Sequence, residues 1–95
     1  MTHLKTVRVE VPTGRLLVTP GAIDLLDEDD IFDAFVRHAS GNWGEVDEED
    51  WKANDDALLN GGRLLSAFAD RNGTRFWIIT EADRSSTTIL LPKEY

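Results

Sequence analysis

Residues 63–81, RLLSAFADRNGTRFWIITE, hold the pattern that decides the fold. Arg75 to Glu81 carries Phe76, Trp77, Ile78, Ile79 and Thr80, aromatic and β-branched types that suit a pleated, half-buried surface. Arg63 to Ala69, with Leu64, Leu65, Ala67 and Phe68, has the length and position of a strand before it. Between them Asp70-Arg71-Asn72-Gly73-Thr74 contains Asn-Gly, a pair that tolerates the positive φ of a tight hairpin turn. Ala82 to Ser86 turns again, and Thr87 to Leu91 reads as a closing strand before Pro92. Strands joined by turns this short pair antiparallel, because a parallel pair needs a crossover of a dozen residues or more.

Upstream of this meander the apolar period changes from two to 3.6. Asp47 is placed to cap a helix running to about Leu59, with Glu48, Glu49 and Asp50 in its first turn and Val46 able to staple onto Trp51. Asn60-Gly61-Gly62 ends it. An earlier helix, about Asp29 to Ala39, is expected to bury Ile31, Phe32, Phe35, Val36 and Ala39, with Arg37 and His38 in its last turn. Thr19-Pro20 opens a shorter helical segment through Leu26, as an N-cap followed by proline at the first helical position. Before that, Thr6–Val11 alternates as a strand, Pro12-Thr13-Gly14 turns, and Arg15–Val18 reads as its hairpin partner. The expected architecture is one α+β domain over residues 1–95. It has a mainly antiparallel sheet of about five strands, in the order β-β-α-α-β-β-β, with two to three helices on one face.

Composition supports a folded chain. Ninety-five residues with 41% hydrophobic and 29% charged content allow one core and no second. There is no cysteine, which removes disulfides, thiolate metal sites and a cysteine nucleophile. No apolar run has the length of a signal peptide or a membrane span, so a cytoplasmic location is expected. Of eighteen acidic residues, thirteen lie between Asp24 and Asp56, where Arg37 and Lys52 are the only basic ones; that window carries −11 and the rest of the chain +3.

A field of that sign repels polyanions and attracts basic surfaces. The candidate partner-binding residues are therefore the acidic face Asp27, Glu28, Asp30, Asp33, Glu48 and Glu49, with Trp43 as a partly exposed anchor beside it. The expected partner is a basic protein surface, such as that of a nucleic-acid-binding protein. Direct nucleic-acid binding would fall instead to Lys5, Arg8, Arg15, Arg71 and Arg75. A second candidate is a ligand or catalytic rim of His38, Glu81, Asp83 and Arg84, in which His38 would need an orienting carboxylate. The simpler reading of His38 is a helix-end group bonded to the following loop. Asn54 shares a face with Trp51 and Leu58, which points it inward, where its amide could tie down the loop Gly41–Glu45. The acidic clusters lack the alternating ligands and central glycine of a calcium loop. No Walker A, Rossmann fingerprint, nucleophile elbow or zinc spacing occurs. No metal, cofactor or catalytic residue is expected.

Two stretches, Arg37-His38-Ala39-Ser40-Gly41-Asn42-Trp43-Gly44 and Trp77 to Pro92, together with Asp50, Asn54, Leu58 and Gly62-Arg63-Leu64-Leu65-Ser66, carry a resemblance. Over roughly residues 15–95 the chain resembles small bacterial proteins of plasmids and integrated mobile elements, usually labelled plasmid-related or hypothetical and sometimes a restriction-modification subunit. The resemblance implies an accessory protein of such an element and supplies no catalytic residues. The chain has neither a glycine-rich methyl-donor loop nor a nuclease carboxylate–lysine pattern.

Overall fold

The hairpin at Asn72-Gly73 becomes the tip of a four-stranded sheet in the computed structural model, which describes residues 11–95. In chain order the elements are β1 (Arg15–Val18), α1 (Pro20–Leu25), α2 (Glu28–Ala39), α3 (Glu48–Asn60), β2 (Leu64–Ala69), β3 (Arg75–Thr80), β4 (Ser86–Leu90) and a 3-10 turn (Pro92–Glu94). The sheet runs β1-β4-β3-β2, and the meander β2-β3-β4 is antiparallel throughout. The architecture is α+β, as expected. One pairing differs: β1 lies parallel to β4, with Leu16 opposite Thr87 and Val18 opposite Ile89. The chain between them, three helices followed by β2 and β3, makes the long crossover a parallel pair requires. Of the strand expected over Thr6–Val11, only Val11 lies within the described residues, so its hairpin pairing with Arg15–Val18 falls outside them. Val11 is buried in irregular backbone, and its N–H donates to the Ala39 carbonyl at 2.9 Å.

The caps explain where the helices start. The Thr19 hydroxyl accepts from the Ala22 N–H, the Asp27 carboxylate from Asp29 and Asp30, and the Asp47 carboxylate from Asp50. One sheet face carries Phe68, Phe76, Ile78 and Ile89, and packs against Ala22 and Leu26 of the α1 region and Ala34 of α2. A second cluster joins Leu64 to Val11 and Trp43, with Val46, Trp51, Ala57 and Leu58 packed against it.

The outer edge of β2 is closed in two ways. Loop residues Trp43 and Glu45 run alongside it: the Ala67 N–H donates to the Trp43 carbonyl at 3.2 Å, and the Glu45 N–H to the Ala67 carbonyl at 2.7 Å. Two residues back, Asn54 of α3 takes the part of a neighbouring strand, donating to the Leu65 carbonyl at 2.8 Å and accepting from the Leu65 N–H at 2.9 Å. Asn54 therefore ties α3 to β2, not to the Gly41–Glu45 loop, because its inward azimuth meets the strand edge first. An unpaired edge invites pairing with another chain. Asn54→Leu should orphan both Leu65 groups and lower stability by about 2–3 kcal/mol. Urea unfolding would measure the loss, with faster hydrogen exchange at the Leu65 amide.

Candidate functional site

His38 is fully buried, and each ring nitrogen has a hydroxyl partner: Nδ1 lies 2.5 Å from Ser66 Oγ and Nε2 2.8 Å from Thr80 Oγ1. Thr80 Oγ1 is 2.7 Å from Thr87 Oγ1, and the Thr87 hydroxyl donates to the Thr13 carbonyl at 2.7 Å. Counting protons orders the chain. Thr87 gives its only hydroxyl proton to Thr13, so Thr80 donates to Thr87, His38 donates from Nε2 to Thr80, and Ser66 donates to Nδ1. Every group is satisfied only with a neutral, Nε2-protonated imidazole. The sheet registers Ser66–Ile78 and Thr80–Thr87 place these hydroxyls on the helix-facing side, under the last turn of α2. The expectation that His38 bonds to the following loop is corrected: the ring points across to the sheet.

Burial holds His38 down to a pKa of about 4, and the charge of Arg84 pushes the same way. Below about pH 6.5 the unfolded chain binds a proton that the folded chain refuses. Stability should therefore fall as pH drops from about 6.5 to about 4, by about 3 kcal/mol in all, and level off below that. The carboxylates of Asp30, Asp83 and Glu94 have lowered pKa values, through hydrogen bonds from Arg71, Ser85 and Thr19 respectively. Their contributions are lost only at more acid pH. Urea midpoints between pH 4 and 7 would check this, and His38→Gln should flatten the slope.

The rim expected from His38, Glu81, Asp83 and Arg84 does not assemble. Arg84, at φ +63°, donates to the carbonyls of Gly62 at 2.6 Å and Ala57 at 2.9 Å, and so caps the end of α3. Asp83 accepts from the Ser85 N–H at 3.0 Å within its own turn, and Glu81 pairs with Arg63 at 3.4 Å. His38 bonds to no carboxylate among the described residues and is fully buried. With its base sealed in the core, this set has no general acid–base chemistry to offer.

The acidic window divides. Asp27 and Asp30 both reach Arg71, at 3.1 Å and 3.0 Å, Asp33 pairs with Arg37 at 3.2 Å, and Glu45 pairs with Arg75 at 3.6 Å. Arg71 and Arg75 flank the β2–β3 turn, so the starts of α2 and α3 lie at the same end of the molecule. These pairings also occupy two of the arginines on which direct nucleic-acid binding would depend; Arg15 is exposed, and Lys5 and Arg8 lie outside the described residues. Glu28, Glu48 and Glu49 are exposed and make no ion pair among the described residues. The anchor role expected of Trp43 is overturned. Its side chain is fully buried, stacks edge-on against His38 at 5.5 Å, and donates from its indole N–H to Asp55 at 3.0 Å. The bridge to Ala67 draws the loop inward and takes the indole with it.

One exposed aromatic is Phe32, which the helical period assigns to the core. Ile31, Phe35 and His38 face the sheet, while Phe32 stands about 100° further round the helix and is 69% exposed. It forms one wall of an apolar groove of about 450 Å³ that runs between β1 (Leu16, Val18), α1 (Ile23) and α2 (Ile31, Phe35), with Glu28 at its margin. Ile23 is 61% exposed and Leu16 47%. The signal in the sequence was an apolar stripe on α2 too wide for one contact: Val36 and Phe32 extend it past what the six-residue α1 can cover. No helix among the described residues is long and apolar enough to cross a membrane. Comparison with known protein families, with curated proteins and with solved structures gives no match.

Proposed function

We propose that this domain is a non-enzymatic binding module that engages a basic protein surface. The observation that carries the reading is an exposed apolar groove bordered by Glu28, in a chain of net charge −8 whose Glu48 and Glu49 are also exposed. Apolar side chains left in water at this density mark contact surfaces, and the charge selects the sign of the partner. The burial of His38, and the engagement of the Glu81, Asp83 and Arg84 side chains in local structural contacts, weigh against an enzyme. A DNA-mimicking inhibitor is the narrower version of the same idea. Arginines of this chain hold Asp27, Asp30, Asp33 and Glu45, so a mixed apolar and acidic contact fits better than an array of carboxylates spaced as phosphates. The resemblance to plasmid and mobile-element proteins is the ground for placing the module as an accessory protein of such an element, acting in the bacterial cytoplasm.

The test is affinity capture from a bacterial lysate at two salt concentrations. Basic proteins should be retained at low salt and released near 1 M, where screening shortens to about 3 Å. The triple variant Glu28→Lys, Glu48→Lys, Glu49→Lys should lose them. Retention of nothing at low salt, or equal retention by the triple variant, would sink the reading.

A further inference from the structure

We infer that the groove between β1, α1 and α2 is the docking site of an amphipathic, basic helix of the partner protein. This rests on the binding-module reading and deepens it. The groove is walled by aliphatic and aromatic side chains from three elements, the form that accepts the apolar face of a helix through anchors at i, i+3 or i+4, and i+7. Phe32 and Ile23, each more than 60% exposed, contribute little burial to their own fold and would supply contact area to a bound helix.

The charges around the groove select the occupant. Glu28 lies in its lining, and Asp24 is exposed between Ile23 and Leu25 on α1. Asp29, exposed and in no ion pair among the described residues, follows Phe32 and Val36 around α2, so acid borders the outer wall. A helix with leucine-like anchors flanked by lysine or arginine would bury its apolar side chains while its charges meet these carboxylates. A second copy of this chain would bring carboxylate rims together at −8 per molecule, and an anionic nucleic acid or membrane would meet the same repulsion.

The probe is a Leu/Lys amphipathic helical peptide of about four turns, titrated into the isotope-labelled full chain, with its Leu/Glu counterpart as control. The Leu/Lys peptide should bind and the Leu/Glu peptide should not. Amide and methyl shifts should concentrate at Leu16, Ile23, Phe32 and Phe35. Phe32→Asp should weaken binding at least tenfold while leaving the melting temperature within a few degrees, since the side chain is already in water. If that variant does not fold, Ile23→Asn on α1 reads the same groove. Glu28→Lys should weaken binding about fivefold, with the difference shrinking at high salt. Binding unchanged by Phe32→Asp and Ile23→Asn overturns the docking site. Shifts confined to the start of α3, around Glu48 and Glu49, overturn it too, while leaving the basic-partner reading standing. Failure of this peptide together with failure of the lysate capture removes both. A dimer in sedimentation that Phe32→Asp dissociates assigns the groove to a second copy and likewise overturns the proposal.

Discussion

His38→Ala should remove about 3–5 kcal/mol of folding stability, a large share of what a domain of this size holds. Two losses combine. Truncating a fully buried ring leaves a cavity against the Trp43 indole, which packs edge-on at 5.5 Å, and the sheet beneath cannot collapse to fill it. Ser66 and Thr80, both fully buried, also lose their partner, and orphaned buried polar groups cost about 1–3 kcal/mol each. The urea midpoint should fall by about 2–3 M for a slope typical of this size. The proton order gives a finer check. Thr80→Val keeps the shape but leaves the His38 Nε2–H without an acceptor and Thr87 without its donor, so it should cost about 1–3 kcal/mol. Nitrogen NMR of His38 should show the Nε2-protonated neutral form at pH 7. An imidazolium there, or a stability change under 1 kcal/mol in His38→Ala, would contradict the proposed network.

Gly44→Ala should be nearly as damaging, at about 2–5 kcal/mol. Gly44 sits at φ +74°, and a Cβ placed on it would stand 2.2 Å from the Ala67 carbonyl oxygen and 2.7 Å from a ring carbon of Phe68. The left-handed backbone alone costs an L side chain about 1–2 kcal/mol. The remainder comes from the collision, because neither a strand carbonyl nor a buried ring can step aside. Relieving it would pull Trp43 and Glu45 from the edge of β2. Gly41 is the internal control: its φ is +81°, yet nothing lies within 4 Å of a Cβ there. Gly41→Ala should show the backbone penalty alone, about 1 kcal/mol. Equal losses at the two positions would mean that contact with β2 does not matter. A larger loss at Gly44, with faster exchange at the Ala67 amide, would support the bridge.

Much of this was legible before any coordinates. The Asn-Gly turn, the strand Arg75–Thr80 and the caps Thr19 and Asp47 stand where local chemistry puts them. Each depends on neighbours within a few residues, and the chain order alone supplies those. The failures share the opposite trait. The flanking Asn42 and Gly44 favour an exposed Trp43; its burial goes with a bridge from the loop to Ala67, more than twenty residues away. The helical spacing of Phe32 predicts burial, yet the side chain is exposed. Periodicity tells which residues share a face, not how much of that face another element covers.

By itself the sequence determined the α+β class, the meander, the positions of the helix starts and the concentration of negative charge, all consequences of short-range preference and composition. Only the tertiary structure decided that β1 lies parallel to β4, that His38 is locked among hydroxyls, that arginines on the β2–β3 turn hold part of the acid, and that Phe32 opens onto a groove. These depend on contacts between residues distant in the chain, set by which surfaces are left over once the nearest ones have paired.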